Sequence, residues 1–270
     1  MDTITLFKIL LTPALIWAVS MAGRKWGPAV SGLLIGLPLN SGPIALFIAL
    51  EHGAAFARQT TTAIILGVIA DITFCLAYGW LAALRQPWPV AMAGGWVANI
   101  LTTLALDQIH TTALIAFAAA AGSLLLLNLL LPRAPRVEEN GKTPWWDIPA
   151  RMVVATAFIL ALTGLASALG SQLSGLLATL PIYTSILAGF NHHLLGPSAG
   201  VRFIRGFAVG LFAFLAFFAV LEPLLGVAPL WLAFVGATVV ALAIQAALGW
   251  LNHLRAEQPS PTSTSPQPFS

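Results

Sequence analysis

Asp71 is a carboxylate set alone in the apolar stretch ILGVIADITFCLAYG at 65–79. Near the centre of a bilayer such a group costs about 2.5–3.5 kcal/mol on insertion scales, so it faces a cavity or a partner. Two roles stay open for it: a protonatable coupling site, or a neutral carboxyl bonded to a neighbouring helix. A second set of polar residues follows a proline inside an apolar run. Pro38 is followed by Asn40, Ser41, Gly42 and Pro43, and Pro181 by Tyr183, Thr184 and Ser185. Proline lacks the N–H and clashes with the preceding turn, so each run is expected to break near its middle. Ser41 ahead of Gly42-Pro43 reads as a fresh helix cap, and Thr184 or Ser185 can serve likewise. Two half-helices would then aim their N-termini, with free N–H groups and partial positive charge, at one place, which suits a small anion. The plainer reading is that proline and glycine are frequent in membrane helices and help them pack.

Composition says what must hold these residues. The 270-residue chain is 59% hydrophobic and 8% charged, against about 25% charged in a soluble domain. So few charges cannot cover a soluble surface, and the expected fold is all-α, a polytopic membrane protein. A net charge of +3 gives no nucleic-acid footprint, and the lone Cys75 allows neither an internal disulfide nor a cysteine metal cluster. His192 and His193 are adjacent and point about 100° apart on a helix, which is not ligand spacing. No P-loop, H-E-x-x-H or G-x-S-x-G is present, so the chain is expected to be no enzyme, with no cofactor and no metal. The first apolar run has Asp2 ahead of Lys8 rather than a basic start, and it is expected to be a span rather than a cleaved signal.

About nine runs are long enough to cross a bilayer: roughly 4–23, 28–50, 59–84, 88–106, 110–131, 149–168, 172–195, 202–221 and 228–251. With the N-terminus outside and the C-terminus inside, all of the 12 Lys and Arg residues except Lys8 and Arg58 fall on the inner side. Arg58 is then expected to anchor span 3 at the outer surface, and Arg202 and Arg205 read first as part of the inner-side charge signal, with lipid phosphates as the alternative partner. Asn99, Asn128 and Gln245 read as hydrogen-bonding links between helices.

The chain also repeats itself. SGLLIGLPLNSG at 31–42 and SGLLATLPIYTS at 174–185 lie 143 residues apart, and residues 27–53 match 170–196 at ten of 27 positions. Among the matches are Gly27/Gly170, Pro38/Pro181 and Gly53/Gly196. The expected organisation is a four-helix repeat at 1–109, a linker helix at 110–131 and a cytoplasmic loop at 132–148. A second four-helix repeat at 149–255 and a Ser/Pro-rich, disordered tail at 256–270 complete it. One unpaired span between two four-span units inverts the second, as in many secondary transporters.

The stretch LSGLLATLPIYTSILAGFNHHLLG at 173–196, with VRFIRGFAVGLFAFLAFFAVL at 201–221, resembles the GlpM-type small membrane proteins, with Leu-Pro where those carry Phe-Pro. The resemblance implies a multi-pass protein of a bacterial inner membrane, built by duplicating a four-span unit, and supplies no substrate. The functional expectation is a secondary transporter of a small, anionic solute. Asn40, Ser41, Tyr183, Thr184 and Ser185 would line its site where spans 2 and 7 cross, with Asp71 coupling transport to an ion. The alternative is a non-transporting scaffold or lipid-handling factor of the cell envelope. The lipid bilayer and the solute are its expected partners.

Overall fold

The computed structural model describes residues 3–39, 41–109, 111–133, 143–161 and 181–257, with 3–9 and 251–257 described by backbone alone. The described residues form helices and connecting turns, without strands. In chain order the helices are α1 Thr3–Trp26, α2 Pro28–Ile35, α3 Ser41–Ala83, α4 Trp88–Leu106 and α5 Ala113–Leu130. Then come α6 at 147–161, α7 Ile182–Leu195, α8 Pro197–Leu224 and α9 Leu230–Glu257. Five of them are long and apolar enough to cross a membrane: α3, α4, α5, α8 and the Leu230–Trp250 part of α9. The first half of the second quoted repeat, 174–180, lies outside the described residues.

Helix length forces α3 to divide. Its 43 residues would measure about 65 Å at 1.5 Å per residue, twice a bilayer core. The division falls at Gly53, whose φ of 81° and ψ of 170° leave helical geometry. Gly27 (φ 90°) and Gly196 (φ 89°) do the same ahead of α2 and α8. Only glycine takes such a backbone without strain, and Pro28 and Pro197 follow at first helical positions that suit proline. Gly53 and Gly196 are aligned in the match of 27–53 with 170–196, and the backbone leaves helical geometry at both.

α8 is the centre, packed against α2, α3, α5, α7 and α9. Its apolar window is 61% buried, against 22% in α4, α5 and α9, which places those three at the periphery. Their sequences carry the same division. In α9, Ala233, Ala237 and Ala241 face inward at helical spacing, while Trp231, Val235, Val239 and Leu242 face out. In α5, Ala116, Ala120, Leu124 and Leu127 are buried while Leu125 and Leu129 are exposed. Such continuous apolar exteriors are stable against lipid, where helices satisfy their own backbone groups.

The closest packing is between α2 and α8, where two G-x-x-x-G motifs face each other: Gly32 with Gly36, and Gly206 with Gly210. A Cβ on Gly32 would strike the Phe203 carbonyl, and one on Gly206 the Ala29 carbonyl. Small residues at this spacing let two backbones touch. Beside this seam α2 ends, and residues 36–39 leave helical geometry before α3 starts at Ser41. At the break, the Leu37 N–H turns to Leu34 O (3.1 Å). It thereby frees the Leu33 carbonyl, which accepts from Gln245 Nε2 of α9. An unsatisfied carbonyl inside a membrane costs several kcal/mol, so Gln245 stabilises the break from 212 residues away.

Several polar side chains find partners within the protein. Arg58 is paired with Glu222 of α8 (2.8 Å). Arg205 donates to the carbonyls of Leu131 (2.8 Å) and Pro132 (3.4 Å), closing the C-terminal end of α5, where cations are favoured. Asn128 donates to Leu124 O of its own helix instead of bridging two. Asn99 is fully buried with neither amide atom partnered among the described residues.

Candidate functional site

The sequence-predicted residues fall at helix starts. Asn40 lies outside the described residues. Ser41 is the first residue of α3 rather than its cap, and Pro43 is in its first turn. The Gly42 N–H reaches back to Pro38 O (2.9 Å), so the proline that ends one helix supplies the first acceptor of the next. α7 begins at Ile182 directly after Pro181, which holds the cap position without a side-chain bond. Thr184 and Ser185 are therefore inside the first turn and not caps, and Ser185 N–H donates to Pro181 O (2.8 Å).

Their side chains reach different neighbours. Tyr183 shares a hydrogen bond with Thr12 of α1 (3.0 Å). Trp96 Nε1 of α4 donates to Ser185 Oγ (2.9 Å), and Thr184 is buried. α2 and α7 touch, yet no hydrogen bond among the described residues joins Ser41 or Asp71 to Tyr183, Thr184 or Ser185. Beside Ser185, a cavity of about 20 Å³ is lined by Trp96, Phe158, Ile182 and Ile186, room for about one water. Asp71 is half-buried on the long arm of α3 and has no ion-pair or hydrogen-bond partner among the described residues.

The polar centre lies elsewhere, where the ends of α1, α6 and α7 converge. Gly27 terminates α1 just after Arg24 and Lys25, cations in a last turn. Asp147 opens α6, and Arg151 stands one turn on, at i and i+4. Asn191 lies in the last turn of α7, before Gly196 ends it. Arg151 Nε donates to Asp147 Oδ1 (2.6 Å), and Arg24 donates to Asp147 Oδ2 (3.4 Å) and to Pro144 O (2.9 Å). Arg151 also donates to Asn191 Oδ1 (3.5 Å) and lies over the Phe190 ring (5.3 Å). Asp147 is 1% and Arg151 4% exposed, and two such charges persist out of water only because they are paired.

Against this cluster lies a cavity of about 150 Å³ lined by Ser20, Arg24, Thr143, Asp147, Arg151 and Asn191, among others. Two guanidiniums face one carboxylate there. Nearby, Tyr78 of α3 shares a hydrogen bond with His192 Nδ1 (3.2 Å), and His193 stands edge-on to Trp88. Sequence reasoning counted Arg24 and Arg151 as loop charges and passed over Asp147, Ser20 and Asn191. The i, i+4 spacing of Asp147 and Arg151 was the available signal. No known protein family, curated protein or solved structure matches the chain, so its function is argued from its own residues.

Proposed function

We propose that this integral membrane protein is a secondary transporter of a small anionic solute, with nine spans in two inverted four-helix units. The observation that carries the reading is the interrupted helix. α2, which touches α7, stops at Ile35, the chain unwinds through Pro38, and a new helix starts at Ser41; α7 begins at Ile182, directly after Pro181. Non-helical backbone at membrane depth is tolerated only where protein or a cavity satisfies it, and transporters place their sites at such breaks. The matching turns at Gly53 and Gly196 support the duplication, as does the resemblance to GlpM-type proteins of a bacterial inner membrane. In this reading Ser41, Tyr183, Thr184 and Ser185 contribute to the solute path. Asp71, a carboxyl without a partner among the described residues, carries the coupling proton. No catalytic residue or cofactor is assigned.

A second reading has its own support. The cavity beside Ser185 is about 20 Å³, and the α2–α8 seam is dry backbone contact. Both fit a scaffold or lipid-handling protein of the envelope that moves no solute.

Proteoliposome uptake separates the two. The purified chain is tested with radiolabelled inorganic phosphate and a panel of short carboxylates under an imposed pH gradient. Transport predicts saturable, gradient-driven uptake that Asp71→Asn lowers about tenfold or more. Uptake with an unchanged pH dependence in Asp71→Asn removes the coupling role, and no uptake of any probe leaves the scaffold.

A further inference from the structure

We propose that the cavity between the ends of α1, α6 and α7 is a binding site for one oxyanion group, a carboxylate or a phosphate, held by Arg24, Arg151, Asn191 and Ser20. The site is separate from the interrupted helix and requires no transport.

Three observations converge on it. The first is charge. Asp147 spends one carboxylate oxygen on each arginine, so among the described residues the cluster keeps one positive charge in excess, carried by the partly exposed Arg24 beside the buried Asp147–Arg151 pair. An oxyanion arriving there would supply the counter-charge. The second is a pair of unpartnered polar atoms. Asn191 Nδ2 and Ser20 Oγ are buried without a hydrogen-bond partner among the described residues, on residues 4% and 3% exposed, and both residues line this cavity. The Asn191 amide is oriented by its Oδ1, which accepts from Arg151, so Nδ2 is the free end. Each unmade buried bond costs about 1–3 kcal/mol, and two on one wall mark a missing partner. The third is room. The cavity holds about 150 Å³, roughly five waters' share of liquid volume, enough for an oxyanion and a short substituent.

The donor set decides the ligand's sign. Among the described residues that line the cavity, the uncommitted groups are guanidinium N–H, an amide N–H and a hydroxyl, and the carboxylate is already engaged twice. Such a surface accepts acceptor oxygens and repels a metal ion or an ammonium. Guanidinium forks match carboxylate and phosphate geometry. Arg24, 31% exposed, stands at the rim and is the arm that can re-aim when the ligand enters.

A soluble molecule and a phospholipid headgroup both carry such an oxyanion, and the test separates the sources. Thermal unfolding of the full chain in neutral maltoside detergent is followed with sodium phosphate, sodium acetate and phosphatidylglycerol, against sodium chloride at equal ionic strength. A saturable rise in Tm with phosphate or acetate beyond chloride supports a soluble ligand. A rise with phosphatidylglycerol alone supports a headgroup. Asn191→Asp keeps the acceptor toward Arg151 but replaces the free donor with a carboxylate oxygen. It is expected to weaken binding about tenfold or more while the ligand-free Tm holds or rises. Ser20→Ala, which removes an unpartnered hydroxyl, is expected to leave the ligand-free Tm unchanged and weaken binding. No saturable shift with any oxyanion overturns the proposal and leaves a water-filled cavity. A shift that both variants retain at full affinity overturns it too, by placing the site elsewhere.

Discussion

The two ends of α8 hold charges under opposite conditions. Next to its start, Arg24, Asp147 and Arg151 meet in a cluster with Asp147 1% exposed. Glu222, 25 residues into the helix and roughly 38 Å along its axis, pairs with Arg58, whose side chain is 46% exposed. Both are opposite charges within bonding distance, but only in the first are both members of an ion pair, Asp147 and Arg151, buried. Attraction between charges is strong where the surroundings are apolar and weak where water competes. The first end is therefore a polar site the fold must support, and the second is a tie between the start of the long arm of α3 and the end of α8.

This contrast can be broken by substitution. The largest effect is expected from Asp147→Ala, which strands Arg151 without a counter-charge. The loss is expected to be about 3–5 kcal/mol, read as a large fall in Tm or in folded yield from detergent. Adding Arg151→Met should restore most of it, because removing both charges also removes the burial cost. If the double variant is no more stable than the single, burial of the charge is not the source of the loss. Arg24→Gln comes next. It leaves Asp147 with Arg151 and removes two hydrogen bonds at the rim, for an expected loss of about 1–2 kcal/mol. The smallest effect belongs to Arg58→Gln and Glu222→Gln, each expected below about 1 kcal/mol. Their effect should vanish near 1 M salt, where the screening length is about 3 Å. A loss there equal to that of Asp147→Ala would erase the distinction between the two ends.

The long elements were readable from the sequence because lipid and helix geometry leave wide apolar runs little choice. The break at Pro38 was readable for the same kind of reason, since the missing N–H is local. What followed from it was not, because the carbonyl it frees belongs to Leu33 and the group that takes it is Gln245. Gln245 was recognised as a link between helices without its acceptor. The partner of Arg58 was not legible, because an arginine at a helix start carries no sign of a glutamate 164 residues later. The two G-x-x-x-G motifs of the α2–α8 seam stand in the sequence, but the spacing alone does not say which two helices meet. The cavity cluster stayed hidden because Arg24, Asp147 and Asn191 meet only through packing of three helix ends. Charges near loops read equally well as topology signals.

The seam between α2 and α8 also has a mechanical consequence. At its glycines backbone meets backbone: Gly32 faces the Phe203 carbonyl, Gly206 the Ala29 carbonyl and Gly210 the Leu33 carbonyl. Displacing α2 along α8 would take the Ala29 and Leu33 carbonyls off the only residues small enough to admit them. The two helices are therefore expected to move as one piece. Beside this pair the backbone leaves helical geometry at Gly27, ahead of Ser41, at Gly53 and at Gly196. The segment 41–52 lies between two of these departures and is held by its buried Gly42, Ala45 and Ala49, so a bend at either end would carry it as a rigid piece.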